Sequence, residues 1–430
     1  MAYQSSINKT ILANGVRILS ERVPYVDSVS VGMWAQAGAR DEDQRRLGMS
    51  HLVEHMLFKG TQRRTTRQIA DEMDSLGGNL NAFTDKEFTC YYARVLAEHL
   101  PQALDIISDM VLNSVFDQAE IEREKNVVVE EIKRHQDTPE DRVHDLLAQI
   151  LWKGHRLGNS VIGSTSVIRK VSREDLVGFV EEFYRPDALV ISAAGDIDHA
   201  KLVDTVVAAF GDLRGTRPPR VITEAGSTAE VNLTNKSTEQ VHFCLGTKGF
   251  SQNRKEKYAL AAIDSILGGG MSSRLFQEIR ENRGLAYAIG SYSASYQEGG
   301  LFAVYGGAGA KNVQLVLDLT RSECESIGRH SVTDEELRRA KNQIRGALVL
   351  GQESMSNRMS RLARSEMYFG RVIRLDEIVT TIMRVTKDDV ASVASQLFVD
   401  SKFALAAIGP FRKNSKLLRD SLTSQPPTPE

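Results

Sequence analysis

A chain of 430 residues is longer than one ordinary hydrophobic core organises, and 41% hydrophobic with 26% charged residues describes a globular protein of two or more domains. A net charge of −2 excludes an electrostatic case for nucleic acid. Cys90, Cys244 and Cys324 are too few and too dispersed for a disulfide framework or a cysteine metal site, and they point to a reducing compartment. No apolar run reaches the ~20 residues that cross a bilayer, so no membrane is expected as a partner. The opening MAYQSSINKT has neither a signal-peptide core nor an Arg-rich presequence. The expected location is therefore bacterial cytoplasm, with the mitochondrial matrix after presequence removal as the alternative.

In chain order, Asn14-Gly15 between apolar runs predicts a hairpin. Residues 28–36 alternate as a half-buried strand, and a charged loop, Gly38 to Arg46, leads into a helix that Gly60 ends. A second helix starts at Thr65 or Thr66 and stops at Gly77-Gly78. Asn79 to Val95 reads as two strands around a turn at Asp85-Lys86. Helices follow over about 97–114, from an Asp117/Glu120 capping box to about Gln136, and over about 139–152. Further on come a helix near 172–184, a strand over 188–196 and a helix over 199–212. Residues 213–229, with Pro218-Pro219, Gly226 and Ser227, read as a linker between an N-terminal domain, 1–212, and a C-terminal domain, 230–414. Residues 415–430, ending SQPPTPE, read as a disordered tail.

The chemistry concentrates in LGMSHLVEHMLFKG, residues 47–60. His51 and His55 are four apart, so a helix stacks them on one face where two imidazoles can address one cation. Glu54 lies beside them, within reach of a water on that cation. This is the inverted form of the zinc-protease helix. The flanking Leu52, Val53, Met56, Leu57 and Phe58 make the helix mostly buried, where unpaired histidines and a glutamate would be costly. Two imidazoles suit zinc, which in a catalytic site needs a third protein ligand and an open position.

Self-comparison at an offset of about 213 to 216 overlays the second half on the first. Trp152-Lys153-Gly154 falls on Tyr368-Phe369-Gly370, and the strand ending Ala193-Ala194-Gly195 on that ending Ala407-Ile408-Gly409. The strand from Phe88 falls on that from Leu301, and the helix before Gly60 on Tyr258 to Gly270. The pattern predicts an α+β fold: two homologous domains, each a mainly antiparallel sheet packed with helices. Residues 259–269 contain no histidine and no glutamate, so the second copy lacks the metal residues. Glu124 and Glu131, seven apart on one helix face, fall on Ala340 and Ala347. Carboxylates lost together with the histidines belong to the same site, with Glu131 as third ligand and Glu124 beside it. Spacing alone leaves Glu130 as a rival to Glu131.

HLVEHMLFKGT followed by Glu131 of NVVVEEI resembles the inverted-motif zinc endopeptidases, among them pitrilysin, insulin-degrading enzyme and the mitochondrial processing peptidase β subunit. The resemblance extends over NAFTDKEFTCYY and GGGMSSRLFQEIRENRGLAYAI, and the single duplicated pair of domains resembles the short-chain, processing-peptidase-like branch. It implies one zinc per chain on His51, His55 and Glu131, with Glu54 as the base that activates the attacking water. It also implies a substrate strand at Asn81, Ala82 and Phe83, and substrate contacts from Arg280, Tyr287 and the glycine run Gly268, Gly269 and Gly270. The expected reaction is hydrolysis of peptide bonds in unfolded peptides or presequence-like substrates, by a homodimer or a heterodimer with an inactive homologue. The alternative is a peptide-binding or scaffold subunit of a processing complex that needs an unlike partner.

Overall fold

The computed structural model describes residues 6–399 and 403–411; the tail expected over 415–430 lies outside them. In chain order the elements are β1 (Ser6–Ile11), β2 (Arg17–Arg22), β3 (Ser28–Ala35), α1 (Met49–Leu57), α2 (Thr66–Ser75), β4 (Asn79–Thr84), β5 (Thr89–Leu96), α3 (Leu100–Asn113), α4 (Gln118–Asp137), α5 (Pro139–Leu151), α6 (Thr165–Ile168), α7 (Arg173–Phe183), β6 (Leu189–Gly195) and α8 (His199–Phe210). Then come β7 (Val231–Asn235), β8 (Gln240–Gly249), α9 (Glu256–Leu267), a π-helical segment Phe276–Glu281, β9 (Ala286–Ser295), β10 (Gly300–Gly309), α10 (Val313–His330), α11 (Asp334–Gly351), α12 (Met355–Phe369), α13 (Leu375–Arg384), α14 (Lys387–Phe398) and β11 (Ala404–Gly409).

Local chemistry accounts for many of these boundaries. Gly15, at φ +101°, turns the β1–β2 hairpin, a conformation that glycine adopts without steric cost. Thr65 caps α2 by accepting from the Gln68 amide, and the Gln68 side-chain oxygen accepts from the Thr65 amide. Asp117 accepts the Ala119 and Glu120 amides ahead of α4, but Glu120 pairs with Arg123 instead of completing the box.

The chain folds into two compact units, and neither is continuous in sequence. Among the described residues, the first comprises 6–133, 159–221 and 351–373; the second comprises 134–158, 222–350, 374–399 and 403–411. The first unit carries a six-stranded sheet ordered β1-β2-β6-β3-β5-β4, and the second a five-stranded sheet ordered β7-β11-β8-β10-β9. Setting β1 aside, the orders correspond strand for strand. The senses correspond too: β2 runs parallel to β6 as β7 does to β11, and every other neighbouring pair is antiparallel. The fold is α+β and duplicated, as the sequence offset predicts.

A division at 212/230 differs from these units because each half lends a helix to the other half's sheet. In the first unit α12, from late in the chain, covers one sheet face with Met359, Leu362 and Ala363 against Leu19, Trp34, Cys90 and Val190. In the second unit α5, from early in the chain, places Val143, Leu147 and Trp152 against Cys244, Ala303 and Ala406. Both sheets are thus covered on both faces, and each fully buried Leu or Met contributes roughly 1.5–3 kcal/mol. This corrects the half-buried strand expected over 28–36: β3 is buried along nearly all its length. The outer-face residues look solvent-exposed only until the distant helix arrives.

Candidate metal centre

The centre lies wholly in the first unit, on α1 and α4. Six of the nine residues of α1 are buried in the main core of that unit or beside it, which fixes the helix rotation. Glu42, fully buried, fixes its N-terminus by accepting from the Gly48 and Ser50 amides at 2.7 Å each. Burial pushes the Glu42 carboxyl up to about 8, although those two amides oppose the shift. Asn159 in turn holds the carbonyls of Ala39 and Glu42 at 3.1 Å. Neither Glu42 nor Asn159 stands out from the sequence: Glu42 reaches amides six and eight residues on, outside any local capping pattern, and Asn159 acts on backbone more than a hundred residues away.

On this anchored helix, the His51 and His55 rings sit 4.7 Å apart between centroids at 78°. Glu131 of α4 brings Oε2 to 3.7 Å from His51 Nε2 and 3.6 Å from His55 Nε2. One ligand atom from each of the three residues lies within 4.8 Å of the others. Those separations are too long for good hydrogen bonds. They suit one shared cation: bonds of ~2.0–2.2 Å in a tetrahedron separate neighbouring donors by about 3.4 Å. The donor set, two imidazoles and a carboxylate, fits zinc with a position left for solvent. Glu130, the rival from spacing, pairs instead with Lys133 at 2.7 Å on the exposed face of α4.

The surroundings prepare these side chains. Burial, then the neighbouring His55, holds His51 down to about 4, so its ring is neutral at ordinary pH, the form in which an imidazole can bind a cation. Burial also works against the charged form of His55, but Glu124, Glu131 and Glu54 outweigh it and raise its pKa. Glu124 faces His55 Nδ1 at 3.1 Å and takes Lys59 Nζ at 2.8 Å on its other oxygen. It is itself almost fully buried, and its pKa is lowered; burial opposes this, and the hydrogen bonds of His55 and Lys59 prevail. That bond leaves His55 Nε2 for the cation. Glu54 is raised by burial, with Thr84 and His55 pulling it back and Glu131 adding to the rise.

β4 lies at the edge of the first sheet, paired to β5. Its alternation turns Leu80 and Ala82 toward the core under α1, whereas Phe83 packs edge-on against Trp34 at 5.5 Å. Asn81 is exposed, and its Oδ1 accepts from the Ala82 amide. In the second unit Arg280 lies in the π-helical segment, with its guanidinium 4.8 Å from the ring centre of Tyr287, which is 77% exposed. Gly268 and Gly269 allow α9 to end against β9. A Cβ on Gly268 would stand 2.3 Å from the Ser291 amide nitrogen, and Gln343 donates to the Gly269 carbonyl at 2.7 Å. Gly270 faces the Gln343 side chain.

Comparison with known proteins decides the family. The description "Insulinase (Peptidase family M16)" fits residues 17–165, and "Peptidase M16 inactive domain" fits residues 170–344. An uncharacterized zinc protease of Bacillus subtilis is 40% identical over 94% of this chain and 98% of its own. The chain belongs to the M16 peptidase family. Another relative, an uncharacterized zinc protease of Streptomyces coelicolor, is 38% identical over 97% of this chain and 93% of its own. In fold, the chain is similar to an M16 inactive-domain protein of Pseudomonas fluorescens, with a TM-score of 0.88, 20% identity and coverage of 95% and 98%. A protease from Helicobacter pylori is similar at a TM-score of 0.87, 20% identity and coverage of 95% and 100%. This M16 protein is a metalloprotease and its cofactor is zinc. Among the described residues no helix is long and apolar enough to cross a membrane.

Sequence reasoning also missed two residues that only the fold connects. Thr84 donates to Glu54 Oε2 at 2.5 Å. Asp264 of α9 stands where Glu54 stands on α1, since the order of buried and half-buried positions over 259–267 repeats that over 49–57 without exception.

Proposed function

We propose that the protein is an endopeptidase that cuts unfolded peptides, with zinc held by His51, His55 and Glu131 and with Glu54 as general base. The observation that carries this reading is the convergence of three ligand atoms within 4.8 Å beside a carboxylate whose pKa burial raises. Zinc bound there supplies a Lewis acid that polarises water and the scissile carbonyl. Glu54 takes the proton of the attacking water and delivers it to the leaving amine. Its raised pKa brings it nearer to working pH, which favours both transfers. Glu124, steadied by Lys59, keeps the His55 ring turned so that Nε2 serves as ligand.

The substrate backbone adds to the free edge of β4 at Asn81, Ala82 and Phe83, main chain to main chain. Arg280 and Tyr287 of one subunit serve substrate at the centre of the other, as donors to the developing oxyanion, and the run Gly268 to Gly270 gives an approach for the peptide. The working form is a homodimer or a heterodimer with an inactive homologue. A non-catalytic scaffold would have no use for a convergent ligand set, so hydrolysis is the better reading.

The test is cleavage of an unstructured peptide, mapped by mass spectrometry, with and without chelator, alongside Glu54→Gln. Chelation should abolish cleavage and zinc restore it. Glu54→Gln should keep one zinc per chain and lose at least about 10²-fold in kcat. A Glu54→Gln protein cutting at the wild-type rate would remove the base.

A further inference from the structure

Beneath Glu54 lies a run of hydroxyls that the reaction scheme above does not use. Thr84, the last residue of β4, donates to Glu54 Oε2 at 2.5 Å. Behind it, Thr89 Oγ1 lies 3.3 Å from Thr84 Oγ1 and donates to the Ala37 carbonyl at 2.9 Å. The Thr89 proton is therefore committed to Ala37, and the Thr84 proton goes to Glu54. Thr89 is fully buried, and with both protons directed elsewhere its Oγ1 packs against that of Thr84 without a hydrogen bond between them. Among the described residues no hydrogen bond reaches the other oxygen of Glu54, Oε1.

The second unit supplies an independent comparison. Counting rungs from Gly195 at the end of β6 and Gly409 at the end of β11, through β3 and β5 or β8 and β10, sets Thr84 level with Ser293. Ser293 Oγ lies 3.4 Å from Asp264 Oδ2, the acid that stands in Glu54's place. Ser291 adds a hydrogen bond to Oδ1 at 2.5 Å. The same hydroxyl-to-carboxyl contact between the same helix and edge strand thus exists where no histidine flanks the acid. The contact belongs to the scaffold and does not need the ligand set. What differs is occupancy: Asp264 has both oxygens tied, whereas Glu54 has one tied and one open.

We propose that Thr84 is a positioning residue for hydrolysis: its hydroxyl pins Oε2 of Glu54 so that Oε1 alone is presented to the reacting water. This rests on the reading of Glu54 as base. A glutamate has several side-chain torsions to fix, and a base that wanders from its aligned geometry loses rate rather than affinity. Because Thr84 closes the strand on which substrate is proposed to lie, the strand that receives the peptide also orients the base.

The experiment compares Thr84→Val, Thr84→Ser, Glu54→Gln and wild type on one quenched fluorescent peptide, with zinc content and thermal midpoint measured on each sample. Thr84→Val should lower kcat by about 10–100-fold with KM within about twofold and zinc content unchanged. Thr84→Ser should recover to within a few-fold of wild type, and Thr84→Val should add nothing in the Glu54→Gln background. A wild-type kcat in Thr84→Val, a change confined to KM, or a serine variant as impaired as the valine one would each overturn the positioning role. If Glu54→Gln itself cuts normally, the base reading fails first; if it is dead while Thr84→Val is normal, only the present inference fails.

Discussion

The helix α1 and its counterpart α9 share length of buried face, rotation and neighbouring strand, yet one carries His51, Glu54 and His55 and the other Ala261, Asp264 and Ser265. On the partner helices α4 and α11, Glu124 and Glu131 correspond to Ala340 and Ala347 at the sequence offset of 216. The scaffold that orients a metal helix is therefore separable from the metal. Its requirements are met by six buried positions, apolar except for Ser50 on α1, and a hydroxyl-held acid at the sixth residue of the matching stretches 49–57 and 259–267. The two imidazoles proposed as ligands are additions at two of the three half-buried positions, the third keeping an acid in both copies, and there a side chain reaches out of the core without disturbing it.

The strongest way to break this comparison is to rebuild the centre in the second unit. Ala261→His, Ser265→His and Ala347→Glu together should raise zinc from one to two per chain by elemental analysis, because the backbone already matches. Zinc remaining at one would mean that the two helices of that unit are not spaced as their counterparts are. Next in size is Glu124→Ala, which frees the His55 ring. It should weaken zinc retention by about 10–100-fold in competition with a chelator and leave the fold intact. Undiminished zinc affinity would reduce Glu124 to a partner of Lys59.

The smallest effect concerns the loop after α1, which a charged network ties to α3. Asp109 accepts Thr61, Arg63, Arg64 and Asn113, and although burial opposes it these partners bring its pKa down to about 2 from 3.8. A depressed carboxylate pKa stabilises the fold above the unfolded value, and that stability is lost as pH falls toward 2. Asp109→Asn should cost about 2 kcal/mol in urea unfolding at neutral pH and flatten the loss of stability between pH of about 4 and 2. An unchanged acid limb would show that the network holds no net energy.

Much of the site was legible because its residues are close in sequence or fall at a fixed repeat offset. The four-residue spacing of His51 and His55 carried the helix face, and the loss of Glu124 and Glu131 in the second copy tied two distant acids to the same place. Local patterns also placed the hairpin at Gly15, the turn before β5 and the cap of α2. Phe83 and Thr84 lie on opposite faces of β4, and that alternation alone could have flagged Thr84 as facing α1. Glu42 and Asn159 gave no such signal, since what they satisfy is backbone of other segments.

By itself the amino-acid sequence determined the duplication, the α+β character and the ligand types, because periodicity and donor chemistry are local properties. The tertiary structure decided which helix covers which sheet face. An amphipathic helix such as α5 or α12 records that it needs an apolar surface but not whose surface it is. It also decided which oxygen of Glu54 is held and which is open, since a hydrogen bond from Thr84 exists only once a strand thirty residues away is laid beneath the helix.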